Sequence, residues 1–216
     1  SQEAVEFSDE SMEIVSYYAI LASSELSKER GSYETYKGSK WDRNIFPADT
    51  LDLLQAERGE EVDVVRGGKL DWAPVREHVR NYGMRNSNTM AIAPTATTAN
   101  IVGCIPTTEP IYKNLYVKSN QAGDFVVINK YLVEDLKKHN LWNVGMLNRI
   151  KYADGSVQDI QEIPADLRAK YKEVFEIDAR WLIDASARRG KWIDQSQSLN
   201  IFYNGTSGRE LSDIYF

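Results

Sequence analysis

Cysteine and histidine are nearly absent from this 216-residue chain, which contains one cysteine, Cys104, and two histidines, His78 and His139. A single thiol cannot form an internal disulfide, which is typical of a reducing compartment, so we expect a cytoplasmic location. One cysteine and two histidines fall short of the usual four-ligand structural zinc site. The sequence therefore predicts no metal centre.

An excess of basic residues and long apolar runs are also missing. The net charge of -6 argues against a general nucleic-acid surface, which would be basic. No stretch is long and apolar enough to span a bilayer, and the acidic, polar start does not have the pattern of a signal peptide. With 42% hydrophobic and 27% charged residues, the composition is that of an ordinary globular protein with neither nucleic acid nor membrane as a partner.

The two ends of the sequence predict a piece of a longer polypeptide. The chain begins without methionine, at or just before a helix, and it ends within another helical pattern at Ile214–Phe216. We therefore expect residues 1–216 to form a single piece of a larger domain.

Helical spacing of apolar residues is common along the chain. Ser11–Arg30 is predicted to be a long helix, with Ser8 or Asp9 as its N-cap and Gly31 at its end. Its predicted buried face consists of Met12, Ile14, Val15, Tyr18, Ala19, Leu21, Ala22 and Leu26. Further helices are predicted at 50–57, 71–82, 99–102, 130–139, 143–150, 166–188 and 209–216.

Two apolar runs, Met90–Ala93 and Ser198–Tyr203, are predicted to be buried strands, and helical sequence follows each of them. This βα pattern is typical of parallel strands flanked by helices. The polar run Asp194–Gln197 is predicted to be a hydrogen-bonded entry to the second strand rather than a catalytic element. A separate hairpin is predicted from Ile111–Ser119 and Asp124–Ile128.

The main candidate for binding chemistry is Thr89–Asn100, which reads TMAIAPTATTAN. A strand, a tight turn and a helix start follow one another here. This order creates a potential anion site, because first-turn amides lack intrahelical partners and the helix dipole adds positive charge. Alternatively, Thr95, Thr97 or Thr98 acts only as an N-cap. The spacing alone favours the N-cap, because caps far outnumber phosphate sites.

Several segments of the chain resemble the large, catalytic subunit of class I ribonucleotide reductase. The family signature runs from Trp72 through Gly83-Met84-Arg85-Asn86 to Ala91 and Pro94, although Val75 stands where the signature usually has Leu or Phe. The other matching segments are KERG at Lys28–Gly31, FPADT at Phe46–Thr50, TEP at Thr108–Pro110 and WIDQSQSLNI at Trp192–Ile201. Together these segments cover essentially the whole chain.

The resemblance implies an α/β fold, a ten-stranded barrel built from two antiparallel halves of five parallel strands each. This chain would be the C-terminal part of that barrel, rich in helices and with few parallel strands. The resemblance also implies that the turn formed by Pro94, Thr95, Ala96, Thr97 and Thr98 binds the substrate phosphates. It thus reverses the preference for a simple N-cap.

The activity implied by the resemblance is radical reduction of ribonucleoside diphosphates to their deoxy forms for DNA replication. The family's radical and redox cysteines match no position here, so no catalytic residue is assigned, Cys104 is interpreted as structural or incidental, and the piece alone is expected to be inactive. The implied partners are the rest of the large subunit, a radical-generating small subunit that carries the metal, and thioredoxin or glutaredoxin. We also expect ATP and deoxynucleotide effectors, whose sites lie in other parts of the enzyme, and a homodimer of the full-length chain.

Two other functions remain open at this level. The chain could be a non-catalytic module that binds a phosphate or nucleotide, or a purely structural segment of a barrel. The neighbouring sequence would separate these hypotheses, because a reductase requires a radical cysteine upstream and a tandem tyrosine pair downstream.

Overall fold

The computed structural model describes residues 1–215, and it describes the side chains of all of these except Asn120. The described chain divides into two compact units. The first unit consists of Ser1–Pro94 and Arg180–Leu199, and the second begins at Thr95, continues to Ala179 and resumes at Asn200.

Helices form most of the regular structure. They are α1 (Gln2–Arg30), α2 (Thr50–Arg58), α3 (Ala73–Tyr82), α4 (Ala96–Val102), α5 (Lys130–Lys138), α6 (Val144–Tyr152), α7 (Ala165–Lys170), α8 (Ala179–Gly190) and α9 (Gly208–Tyr215), with 3₁₀ turns at Pro47–Asp49 and Val174–Glu176. The predicted bounds of α2, α3, α5 and α6 are confirmed to within two residues. Phe216, the last residue of the predicted final helix, lies outside the described residues.

The long helix α1 differs from its prediction in its start and in its buried face. It begins at Gln2, where the hydroxyl of Ser1 accepts a hydrogen bond from the N–H of Ala4, and it ends before Gly31 as predicted. Five of the predicted apolar positions are exposed, namely Ile14, Val15, Tyr18, Ala22 and Leu26. The buried positions are mostly small or polar, namely Val5, Glu13, Ser16, Ile20, Ser23, Ser24 and Ser27.

The buried serines of α1 are accommodated because their hydroxyl groups have partners. Ser27 Oγ donates to the carbonyl of Tyr82 at 2.6 Å, and Ser24 Oγ lies 2.8 Å from Nδ1 of His78, so both contact α3. Ser16 Oγ donates to the carbonyl of Trp192 at 2.6 Å. Small side chains allow close packing on this face, which an apolar periodicity does not reveal.

A late segment of the sequence completes the first unit. Lys191 is fully buried, and its Nζ donates to Oδ2 of Asp9 at 3.0 Å and to the carbonyl of Val65 at 2.6 Å. Trp192 Nε1 donates to Oδ1 of the same Asp9 at 2.6 Å. The start of α1 is therefore tied to residues that follow α8.

Each unit has its own hydrophobic core. In the first unit the buried cluster consists of Ile20, Trp41, Phe46, Val75, Val79 and Met84. In the second unit it consists of Leu115, Leu132, Leu136, Met146, Ile150, Val157, Ile160, Ile163, Leu167 and Tyr171.

The predicted helix at 166–188 is wrong in its continuity, because the structure breaks it into α7, a 3₁₀ turn and α8. At the break, the buried carboxylate of Glu173 accepts a hydrogen bond from the N–H of Asn114 at 2.6 Å, while Val174 N–H donates to the carbonyl of Ile111 at 3.0 Å. These tertiary hydrogen bonds take the place of intrahelical ones. No glycine or proline marks the break in the sequence.

The predicted hairpin is confirmed as β1 (Leu115–Asn120) and β2 (Gly123–Ile128), which pair antiparallel with Val117 opposite Val126. The predicted strands Met90–Ala93 and Ser198–Tyr203 are wrong in extent. Among residues 1–215 the first reduces to Ile92, which forms one parallel bridge with Gln197, the residue before the second predicted strand, and no residue of 198–203 is in a strand. Pro94, which lacks an N–H, prevents the ladder from continuing.

Candidate functional site

One carboxylate holds the segment that precedes the predicted phosphate turn. Oδ2 of Asp194 accepts hydrogen bonds from the N–H of Thr89 at 2.7 Å and from its hydroxyl at 2.9 Å. Oδ1 accepts from the N–H of Met90 at 3.0 Å. The predicted hydrogen bonding at Asp194 is therefore confirmed, whereas the strand that it was predicted to precede is replaced by the single bridge at Gln197.

The parallel bridge follows directly after these contacts. The N–H of Ile92 donates to the carbonyl of Ser196 at 3.2 Å, and the carbonyl of Ile92 accepts from the N–H of Ser198 at 2.7 Å. Gln197, which lies between Ser196 and Ser198, donates a hydrogen bond from Nε2 to the carbonyl of Ser186 at 2.7 Å. Consecutive residues on both segments are thus fixed against each other.

The predicted phosphate turn begins with Pro94, the last residue of the first unit's opening segment, and continues in the second unit. Thr95 is the N-cap residue of α4, but its side chain forms no capping hydrogen bond. Its hydroxyl donates to the carbonyl of Pro106 at 3.3 Å instead. Thr97 and Thr98 lie inside the first helical turn and are exposed. None of these three threonine side chains therefore caps α4.

The turn leaves several hydrogen-bond donors available. The first amide of α4 with a partner is that of Ala99, which donates to the carbonyl of Thr95 at 2.8 Å. In the described part of the chain, no hydrogen bond uses the N–H groups of Ala96, Thr97 and Thr98 or the hydroxyls of Thr97 and Thr98. Ala99 is buried beneath the turn, whereas residues 95–98 are exposed. The arrangement can donate several hydrogen bonds to an anion.

One lysine contacts the same helix. Lys118 Nζ, from β1, donates to Oδ1 of Asn100 at 3.4 Å. Asn100 lies in the second half of α4, beyond the first turn. The donors of the turn itself are therefore amide and hydroxyl groups rather than charged side chains.

Two carboxyl groups of the second unit with shifted pKa values, Asp135 and Glu173, join segments of its core. Lys138, Lys170 and Tyr171 donate to Asp135 at 2.8, 2.6 and 2.6 Å, and these hydrogen bonds hold the pKa of Asp135 well below its usual range. Burial raises the pKa of Glu173, which accepts from the N–H of Asn114. We assign both carboxyl groups structural roles, because each one joins segments of the core.

Cys104, the single thiol, is exposed and free. Within residues 1–215, no three side chains of His, Cys, Asp or Glu are grouped to hold a metal ion. None of the helices in this same range is both long and apolar enough to cross a membrane.

The family comparison agrees with the segments that carry the resemblance. The family model described as the ribonucleotide reductase barrel domain matches residues 1–216. The chain belongs to this family. The predicted α/β barrel class is thereby confirmed, and in this barrel domain residues 1–215 provide helices, one hairpin and one parallel bridge.

Relatives of this barrel domain are large subunits of reductases. The chain is 52% identical over its whole length to ribonucleoside-diphosphate reductase subunit alpha of Chlamydia pneumoniae, of which it covers 21%. It is 40% identical, over 99% of its length, to the large subunit of Trypanosoma brucei brucei, of which it covers 26%. It thus spans about a fifth to a quarter of these curated relatives.

A solved structure shares the fold. The alpha subunit of the class Id ribonucleotide reductase of Actinobacillus ureae aligns with a TM-score of 0.55 and 27% identity. The alignment covers 88% of this chain and 33% of that one.

Sequence reasoning did not identify Thr89 as part of the site's support. Thr89 and Asp194 are 105 positions apart, so no local spacing connects them. The available signal was a threonine directly before one apolar run and an aspartate four residues before the start of the other.

Proposed function

We propose that this chain forms one wall of the active site in the large subunit of a ribonucleoside-diphosphate reductase, and that Pro94, Thr95, Ala96, Thr97 and Thr98 bind the substrate diphosphate. The observation that carries the proposal is the set of exposed, unpaired amide and hydroxyl donors at 96–98. Family membership supports it, since the relatives are named as reductases of ribonucleoside diphosphates.

The residues of the turn would bind and orient the substrate. Amide groups at a helix start favour an anion, and hydroxyl groups of Thr97 and Thr98 add donors whose direction adjusts to the phosphate oxygens. A hydrogen bond to a charged group contributes about 1.5–3 kcal/mol. Anchoring the diphosphate would hold the ribose in place for radical reduction to the deoxy form, because an anchored substrate reacts from a fixed orientation.

The remaining chemistry would come from outside these residues. The radical cysteine and the redox cysteines would lie in other parts of the large subunit. A metal-bearing small subunit would generate the radical, and thioredoxin or glutaredoxin would return the reducing equivalents. ATP and deoxynucleotides would act as effectors on a homodimeric, cytoplasmic enzyme that supplies precursors for DNA replication.

The test is Thr97→Val in the full-length enzyme. Loss of the hydroxyl should weaken binding of the diphosphate substrate by about tenfold or more, because one hydrogen bond to a charged group is removed. Effector affinity and melting temperature should stay unchanged. Substrate and effector affinities are measured by equilibrium binding, beside turnover.

Thr35→Val is a matched control, because Thr35 is also an exposed threonine but lies in the first unit. It should leave substrate affinity unchanged. Unchanged affinity in a well-folded Thr97→Val enzyme would reject a binding role for that hydroxyl.

A further inference from the structure

The carboxylate of Asp194 receives three hydrogen bonds from two consecutive residues, Thr89 and Met90. Two of the three donors are backbone N–H groups, so the contact fixes the course of the main chain and not only a side chain. Pro94, where the proposed phosphate turn begins, follows four residues after Met90 within the same unit.

We propose that Asp194 is a positioning residue for the substrate diphosphate, acting by fixing residues 89–92 and thereby the position of Pro94. This inference rests on the proposed function of the turn. Asp194 itself would not contact the substrate.

The geometry supports positioning in two ways. Hydrogen bonds to a carboxylate are shorter and stronger than those between neutral groups, and the three here measure 2.7–3.0 Å. The two backbone bonds of Ile92 to Ser196 and Ser198 then secure the next residues in register. Only Ala93 lies between Ile92 and Pro94, the first residue of the turn, and the proline ring fixes the φ angle of Pro94.

A fixed segment lowers the cost of ordering the turn when substrate binds. Without Asp194, the chain before Pro94 would sample more conformations, and binding would have to select one of them. Once the diphosphate is bound, its own hydrogen bonds would order the turn again. The expected signature is therefore a raised KM with a nearly unchanged kcat.

The experiment uses Asp194→Asn in the full-length enzyme. An asparagine of the same size replaces one carboxylate oxygen by an NH2 group, which cannot accept a hydrogen bond from the N–H of Thr89 or of Met90, whichever it faces. We expect KM for the diphosphate substrate to rise about tenfold and kcat to change less than about threefold. Hydrogen exchange should show that the amides of Thr89 and Met90 lose protection.

A matched control is Asp135→Asn in the second unit. Asp135 also accepts three hydrogen bonds, from Lys138, Lys170 and Tyr171, but it lies among core helices. This variant should lower the melting temperature and leave KM unchanged. An equal rise of KM in both variants would mean general destabilisation and would overturn the proposal.

Thr89→Val gives a graded test that also serves if Asp194→Asn does not fold. It removes the hydroxyl donor and keeps the two backbone bonds, so we expect KM to rise about two- to threefold. Because both side chains share one hydrogen bond, the double variant should fall short of the product of the single effects.

The outcomes separate the two proposals. If Asp194→Asn exposes the amides of Thr89 and Met90 while KM stays constant, and Thr97→Val still weakens binding, then positioning by Asp194 is rejected and the phosphate turn stands. If neither variant changes substrate affinity, the binding role of the Thr97 hydroxyl and positioning by Asp194 are both rejected. If Asp194→Asn does not fold and Thr89→Val is indistinguishable from wild type in KM, positioning is again rejected.

Discussion

Trp72 and Glu13 are joined by a hydrogen bond of 3.0 Å from the indole Nε1 to carboxylate Oε1, although they are 59 positions apart. The same carboxylate accepts from the N–H groups of Lys69 at 2.8 Å and Leu70 at 3.0 Å. Glu13 is 2% exposed, so these three donors take the place of the water molecules that would otherwise solvate its carboxylate. Trp72, the first residue of the family signature, is thus part of the structural link between α1 and the chain that enters α3.

Glu13→Ala should be strongly destabilising. It leaves three donors without their acceptor, among them the indole N–H of the half-buried Trp72, and a buried donor left unsatisfied costs about 1–3 kcal/mol of unfolding free energy. Urea denaturation measures the loss. Glu10→Ala is the control, because Glu10 forms only an exposed pair with Lys69 and such pairs contribute about 0–1 kcal/mol. Equal losses in the two variants would contradict this role for Glu13.

Gly83→Ala should cost more stability than Gly59→Ala. Both glycines have positive φ, 73° and 70°. A Cβ on Gly83 would lie 2.1 Å from Oγ of Ser32, whereas a Cβ on Gly59 would meet nothing within 4 Å. Gly59 has ψ 13°, in the left-handed helical region that alanine adopts at a cost of about 1 kcal/mol, whereas Gly83 has ψ -158°, in a region nearly restricted to glycine. With the clash added, we expect at least about 2 kcal/mol for Gly83→Ala. Melting temperatures measure the difference, and an equal shift in the two variants would contradict it.

The stabilising effect of Asp135 should disappear in acid. Hydrogen bonds from Lys138, Lys170 and Tyr171 lower its pKa, so the folded state favours the carboxylate more than the unfolded state does. A lowered carboxyl pKa stabilises the fold above its ordinary value of about 4, and this contribution decreases as pH falls from there towards the folded-state pKa. Wild type and Asp135→Asn should therefore differ most near neutral pH and converge in acid. Unfolding free energies measured at several pH values test this, and a difference that grows in acid would contradict it.

How well the sequence predicts a helix depends on whether nearby residues or distant ones determine where that helix begins and ends. The helices α5 and α6 have asparagine N-caps whose side chains accept from Leu132, Tyr131 and Met146, and these local signals make their starts predictable. The break between α7 and α8 has no such signal, because it depends on hydrogen bonds to Asn114 and Ile111, more than fifty residues earlier.

The buried face of α1 was mispredicted for a different reason. Apart from Val5 and Ile20, its inner positions are serines and Glu13, whose polar groups have hydrogen-bond partners such as Tyr82 and Trp72. Hydrophobic periodicity takes only apolar residues into account, and the apolar residues of α1 lie largely on its exposed side.

For the candidate site, the sequence locates the turn but not its support. Pro94 and the threonines are contiguous, so their order predicts a strand end and a helix start. The hydrogen bonds between Thr89 and Asp194 join two segments that are far apart in the sequence and come together only in the folded chain. A structure shows such a contact, whereas the local spacing of residues does not predict it.

The return of the chain to its first unit has a consequence for its synthesis. Asp9 and Lys191 are 182 positions apart, so at about 5–20 residues per second a ribosome adds Lys191 on the order of 10–40 seconds after Asp9. During this interval the second unit's main segment emerges while the first still lacks its buried cation and Trp192. The first unit therefore cannot complete its packing until Trp192 has been synthesised. Until then, the surface that Lys191 and Trp192 will cover is accessible to molecular chaperones.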